Sequence, residues 1–306
     1  MMRLRLSGVF PPIPTVFDAG TGDVDPQATA ANVGRWMETP LAGVLTLGSN
    51  GEAALLTEEE SERVVAAVRD VVPRDRVLIV GTGRESTRGA VRASVRAAEL
   101  GADAVLVRAP SFFRTQMTPA ALVTHYTAVA DASPAAVLLY NLPAVTGFSL
   151  TPSIVEELAA HPNVVGIKET SPDLDRLVQF AAIRPDAFAV LTGWAPVFYP
   201  ALSAGAVGGI LAVANVLPEA CVRLLEHVRA GRHLEALALQ RRLVGVAQLV
   251  STMHGVAGLK AALDLTGFHG GAVRPPQPQI SDAARREIRA AIDAFHGQDK
   301  SAAGAV

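Results

Sequence analysis

A single cysteine, Cys221, stands in the 306-residue chain, so no internal disulfide can form. One unpaired thiol fits a reducing compartment, and a cytoplasmic protein is expected. Charge is scarce and balanced. Only 18% of residues are charged, 27 basic against 29 acidic, for a net charge of −2. That removes the electrostatic reason to expect a nucleic acid or an acidic membrane surface as partner. Long hydrophobic runs are missing. Stretches such as residues 206–216 are broken by glycines and too short to span a bilayer. The opening Met1-Met2-Arg3-Leu4-Arg5-Leu6 has too short an apolar run for a signal peptide. The seven histidines (125, 161, 227, 233, 254, 269 and 296) show neither His-x-His nor His-Glu-x-x-His spacing, so no metal site is expected. Gly81-Thr82-Gly83-Arg84-Glu85-Ser86 begins like a dinucleotide fingerprint, but Ser86 stands where the third glycine belongs. No Walker-type Gly-Lys-Ser/Thr occurs.

Half of the residues are hydrophobic, enough for a large core. Short apolar runs alternate with helical patterns along most of the chain. Strands are expected at 9–17, 44–47, 77–80, 104–107, 136–140, 164–168, 188–191 and 207–212. The first holds Pro11, Pro12 and Pro14 and can only be short and irregular. Helix starts are marked between them: Asp25-Pro26, the Thr57/Glu60 capping box, Ser86, Thr118-Pro119 and Thr151-Pro152. Continuous apolar strands alternating with helices mean a parallel sheet. Eight such units predict an α/β protein of (β/α)8 TIM-barrel type, with an open doubly wound sheet as the alternative. The barrel is expected over 1–217. Helical patterns at 218–230, 233–249, 258–265 and 281–295 then follow without a strand, around a Gly/Pro-rich loop at 270–278. They define a C-terminal helical extension, 218–296, with apolar faces suited to a subunit interface. Residues 297–306 read as a frayed tail.

In a barrel, the residues that follow each strand share one mouth, where ligands bind. Val164-Val165-Gly166-Ile167-Lys168-Glu169 ends an apolar strand in a lysine, and an amine held there can act as a nucleophile. Taken alone, Lys168 reads as a strand cap that faces water, since unpaired lysines are rarely buried. Tyr140 ends the neighbouring strand, where a phenol either fills space or relays a proton. Adjacent parallel strands bring the two within about 5 Å laterally. That pairing favours imine chemistry, which needs an amine and a proton carrier. Gly48-Ser49-Asn50-Gly51 can curl into an anion-binding nest for a carboxylate, although a plain tight turn needs the same residues. The other mouth residues are Ser111, Phe112, Phe113 and Arg114, then Asn141, Thr170, Gly193 and Trp194.

Four motifs carry a family resemblance over nearly the whole chain. They are Gly48-Ser49-Asn50-Gly51-Glu52, Tyr140-Asn141-Leu142-Pro143-Ala144-Val145-Thr146-Gly147, Gly166-Ile167-Lys168-Glu169-Thr170 and Gly205-Ala206-Val207-Gly208-Gly209. They resemble the dihydrodipicolinate synthase and N-acetylneuraminate lyase superfamily of pyruvate-handling class I aldolases and lyases, most closely its 4-hydroxy-2-oxoglutarate aldolase branch. The resemblance implies a homotetramer, Lys168 as the Schiff-base lysine and Tyr140 as the proton relay. It implies Ser49 and Asn50 as the carboxylate site of a small 2-oxo acid, with Gly48, Thr170, Gly193 and Ile210 lining it. No cofactor or metal is expected. Phe113, Arg114 and Val145 are expected around the distal pocket. The synthase typically has Thr-Thr at Ser49-Asn50, an arginine at Val145, and a tyrosine in the loop held by Phe112-Phe113. Ser49-Asn50, residues 83–87 and residues 205–216 are most similar to the aldolase, where Phe112 and Phe113 also replace tyrosines, and they imply aldolase-like C–C cleavage or condensation. The synthase reaction and a non-catalytic small-acid-binding barrel are the alternatives.

Overall fold

Runs of Val, Leu and Ile ended by a glycine or a polar residue pair as eight parallel strands in this computed structural model, which describes residues 4 and 6–303, with 298–303 as backbone alone. The strands are β1 (Gly8–Phe10), β2 (Gly43–Thr46), β3 (Val77–Gly81), β4 (Ala104–Arg108), β5 (Ala136–Asn141), β6 (Val164–Glu169), β7 (Ala189–Thr192) and β8 (Gly208–Ile210). Their order is β1-β8-β7-β6-β5-β4-β3-β2. The seam between β1 and β2 is closed from Val9 in β1 to residues past its end. Ala42 N–H donates to Val9 O at 3.0 Å, Leu45 N–H to Pro11 O at 3.0 Å, and Ile13 N–H to Leu45 O at 2.8 Å. Prolines have no N–H to give, so here Pro11 contributes its carbonyl and the ladder skips the missing donors. The sheet is therefore a closed (β/α)8 barrel, and the open-sheet alternative is set aside.

Side chains alternate across the strands with period two. Phe10, Leu45, Ile79, Leu106, Leu138, Leu191 and Ile210 fill the barrel interior. Val44, Leu78, Val105, Val137, Leu139, Ile167 and Val190 face outward under the helices. Both faces are buried, which is why the strands read as unbroken apolar runs. The expected caps form: Thr57 accepts from Glu60 N–H, and the Glu60 carboxylate accepts from Thr57 N–H.

β4 to β7 each end one residue later than the sequence suggests, because their last polar residues still pair with a neighbour. β8 is shorter than expected and passes into a 3-10 turn at Ala212–Asn215. Leu47, expected in a strand, is left-handed at φ 53°. The C-terminal helices are Pro218–Arg229, His233–Gln248, Gly255–Leu265 and Asp282–Ala303, with a π-helical turn at Leu249–Met253. The last of these continues past residue 295 into the stretch read as a frayed tail; residues 304–306 of that tail lie outside the described residues. Cys221, Leu225, Leu243, Leu259 and Ile288 of this extension share one core with the barrel's outer face. Trp36 joins the two: it stacks on Phe268 at 5.1 Å and donates its Nε1–H to Asn215 O at 3.0 Å. Among the described residues, no helix is long and apolar enough to cross a membrane.

Candidate active site

Parallel pairing sets Tyr140 directly opposite Lys168 at the ends of β5 and β6. Both point inward, and both are nearly sealed, at 5% and 4% exposure. Lys168 Nζ lies 3.3 Å from the Tyr140 hydroxyl and 4.3 Å from its ring centroid. A register shift between Val137 and Leu138 sets this phase. Val165 turns inward next to it, yet Ile167 faces out and Lys168 in. Tyr140 tops the interior cluster that Leu138 and Ile210 also belong to, so the predicted Ile210 forms part of the floor beneath the mouth.

Gly193 follows β7 and makes room for the lysine. A Cβ there would stand 2.0 Å from Thr170 Oγ1 and 2.9 Å from Lys168 Cε. Its N–H donates to Glu169 O at 2.6 Å. Gly193, Thr170 and Lys168 are therefore close neighbours at this end of the barrel. The Thr170 hydroxyl is buried without a hydrogen-bond partner among the described residues.

The Gly48-Ser49-Asn50-Gly51 turn follows β2. In an eight-membered ring, β2 and β6 are four strands apart in either direction, so the turn faces Lys168 across the mouth. Ser49 is exposed and Asn50 half-buried. The turn is closed by Gly51 N–H to Gly48 O and Glu52 N–H to Ser49 O, each 3.1 Å, and Thr15 Oγ1 donates to Gly51 O at 2.7 Å. Its tightness has a steric cause: a Cβ on Gly51 would lie 3.1 Å from Leu47 N and 3.2 Å from Ile13 O.

Phe112, Phe113 and Val145 are exposed at 80, 67 and 57%. The two phenyl rings pack edge to face at 5.0 Å. Arg114 lies against the loop after β5, because a Cβ on Gly147 would meet Arg114 Cδ at 2.7 Å and Nη1 at 2.8 Å. Gly147 is left-handed at φ 76°, which suits glycine. The loop after β4 thus meets the loop after β5 through Arg114 and Gly147.

Two buried or bridging carboxylates were not singled out in the sequence. Glu169, one step beyond Lys168, points to the outer face, where its Oε2 accepts from Asn141 Nδ2 at 2.6 Å. Asn141 Oδ1 in turn accepts from Leu150 N–H at 2.9 Å. Burial pushes the Glu169 carboxyl up, against smaller lowering by Ser171 and Asn141. Glu85 accepts from Ser111 N–H at 2.8 Å, Phe112 N–H at 2.9 Å and Arg108 Nη2 at 2.7 Å, and so ties down the loop that carries the phenylalanines. Burial raises its carboxyl, but Arg108 and the two amides outweigh that and hold it low. Their only signal in sequence was position: Glu169 ends β6 and Glu85 lies in the loop that follows β3. Among the described residues, no cluster of three or more His, Cys, Asp or Glu side chains is arranged to hold a metal ion.

The family model described as the dihydrodipicolinate synthetase family matches residues 5–295. A 4-hydroxy-tetrahydrodipicolinate synthase of an Exiguobacterium species is 34% identical over 95% of this chain and 98% of its own. A probable mitochondrial 4-hydroxy-2-oxoglutarate aldolase of Emericella nidulans is 35% identical over 96% and 95%. Among solved structures, YagE, a prophage protein of this family from E. coli K12 in complex with pyruvate, superposes with a TM-score of 0.89 at 29% identity, over 96% of this chain and 99% of its own. A buried amine against a phenol at a barrel mouth, on a chain matched over nearly its whole length, leads to one conclusion: this protein belongs to the dihydrodipicolinate synthetase family of lyases and aldolases.

Proposed function

We propose that this chain is a class I aldolase that forms an imine between Lys168 and a 2-oxo acid, with a 4-hydroxy-2-oxoglutarate aldolase-like reaction. The observation that carries the reading is the 3.3 Å contact between Lys168 Nζ and the Tyr140 hydroxyl, both buried at the mouth. Lys168 attacks the C2 ketone, and loss of water from the carbinolamine leaves a protonated imine. That imine is an electron sink. Tyr140 takes the proton of the C4 hydroxyl, the C3–C4 bond breaks, and glyoxylate leaves. The electrons remain on Lys168 as the enamine of pyruvate. Protonation at C3 and addition of water then release pyruvate and restore the amine. Ser49 and Asn50 hold the carboxylate next to C2, with Gly48, Thr170, Gly193 and Ile210 around it. Holding both ends makes the attack intramolecular in effect.

Val145 counts against the synthase, because that branch typically carries an arginine there; Arg114, laid over Gly147, is a cation on that side of the mouth for the C5 carboxylate of 4-hydroxy-2-oxoglutarate. A second reading, condensation of pyruvate with aspartate semialdehyde, is supported by the synthase relative at 34% identity. A substrate panel separates the two. The aldolase reading expects pyruvate release from 4-hydroxy-2-oxoglutarate and no cyclic product from pyruvate plus aspartate semialdehyde. The reverse pattern overturns it. We extend the reading to a cytoplasmic homotetramer. Leu234 and Met253, exposed at 82 and 57% on the C-terminal extension, are apolar residues that such an assembly would cover.

A further inference from the structure

A second buried lysine stands behind the Ser49-Asn50 turn. Lys260 belongs to the Gly255–Leu265 helix of the C-terminal extension, and its Nζ lies 2.6 Å from Glu52 Oε1, with both side chains sealed from solvent. Nζ also donates to Ala272 O at 2.8 Å and lies 4.3 Å from the Phe17 ring centroid. The other carboxylate oxygen, Glu52 Oε2, accepts from Gln277 Nε2 at 2.6 Å and from Arg274 N–H at 2.8 Å. Arg274 grips Glu60 with two hydrogen bonds of 2.7 Å and donates to Leu55 O at 2.9 Å. The helix and the loop after it thus converge on one carboxylate.

That carboxylate ends the turn after β2. Glu52 is left-handed, at φ 56° and ψ 29°, and Leu47 is left-handed at the other end. Residues other than glycine keep such a conformation only where their surroundings over-determine it. As glue, the ion pair is a poor choice, since apolar residues of equal volume would join helix and turn at least as well. What the buried pair adds is direction: Glu52 Oε2 takes the hydrogen bonds from Gln277 and Arg274, and Oε1 is held against the Lys260 ammonium. Lys260 also cancels a negative charge two residues from Asn50, where an incoming anion would otherwise be repelled.

We propose that Glu52, Lys260 and Gln277 are positioning residues that fix the Gly48–Gly51 turn in the geometry that receives the substrate carboxylate. The inference rests on reading Ser49 and Asn50 as the carboxylate site. It makes the C-terminal extension a working part of the site, although none of its side chains need touch the substrate.

The test uses the full-length protein and the rate of borohydride trapping. Trapping is followed against the concentration of pyruvate and, separately, of methyl pyruvate, its neutral ester. Two variants are compared with the parent. Gln277→Ala removes one donor from a half-buried position. The double variant Glu52→Gln/Lys260→Met leaves no lone buried charge. Each is expected to raise half-saturation by pyruvate about tenfold, as a small misplacement of a binding group does. Ester trapping and the saturated rate with pyruvate should stay within about twofold, since only carboxylate binding is altered. A general loosening would weaken both ligands together. Equal loss for pyruvate and ester, or no change for either, overturns the proposal. Gln277→Ala decides the matter even where the double variant does not fold. Ser49→Ala separates the two layers. If it leaves the preference for pyruvate over the ester intact, the carboxylate reading fails and the inference with it. If it abolishes that preference while Gln277→Ala keeps it, the positioning role alone fails.

Discussion

Lys168 and Lys260 are both withdrawn from solvent, and their neighbours set them apart. Lys260 faces the Glu52 carboxylate at 2.6 Å; burial pulls its pKa down and Glu52 pulls it back part of the way. It is a paired cation. Among the described residues Lys168 has no carboxylate in ion-pair reach, and its amine meets a phenol. Only the second setting suits a nucleophile that gains and loses protons in each turnover. At this scale Tyr140→Phe should still form the imine but lose about a hundredfold or more in kcat, the usual worth of a positioned proton donor. Steady-state kinetics checks it. Gly193→Ala would set a Cβ 2.9 Å from Lys168 Cε and 2.0 Å from Thr170 Oγ1. The lysine must shift, and trapping with pyruvate should slow by about tenfold or more while the circular dichroism spectrum stays unchanged.

The β5–β6 pair is the element that makes the site, with Tyr140 against Lys168 facing in and Asn141 against Glu169 facing out. Burial raises the Glu169 carboxyl. Above the ordinary glutamate range, the unfolded chain has released this proton while the folded chain still holds it. The native state then binds more protons, so stability falls as pH rises through the window between the two values. Glu169→Gln should flatten that slope, as urea midpoints measured across the window will tell. This element was also the most legible in the sequence. Two apolar runs ending in tyrosine and lysine required only the neighbour rule for parallel strands to be brought together. Less could be read of the turns. Nothing about Leu47 in the sequence marks it as left-handed, since a leucine rarely takes that conformation. Glu85 and Glu52 look like surface charges in one dimension. Glu52 and its partner Lys260 are joined only once the barrel has closed and the extension has folded back over it.

For the whole molecule, closure by Pro11 and Leu45 turns eight strands into one mouth, and the extension shares the barrel's core rather than forming its own. Alternation of strand and helix along the sequence foretold the barrel. The shared core was not legible, since helix patterns show which face is apolar but not what covers it. A fragment ending at residue 217 would expose the surface that Cys221, Leu225 and Leu259 now cover and would lose Lys260. Removing one partner of a buried pair alone costs about 3–5 kcal/mol, a large share of a domain's stability of about 5–15 kcal/mol. The fragment should be insoluble or unfolded, and the full chain should melt in one calorimetric transition. The central claim is that Lys168 is the amine that bonds to substrate. Incubation with pyruvate, reduction with borohydride and peptide mass mapping test it directly. The account predicts a single reduced pyruvate adduct on Lys168, absent from Lys168→Ala; an adduct on Lys260, or none on either lysine, would contradict it.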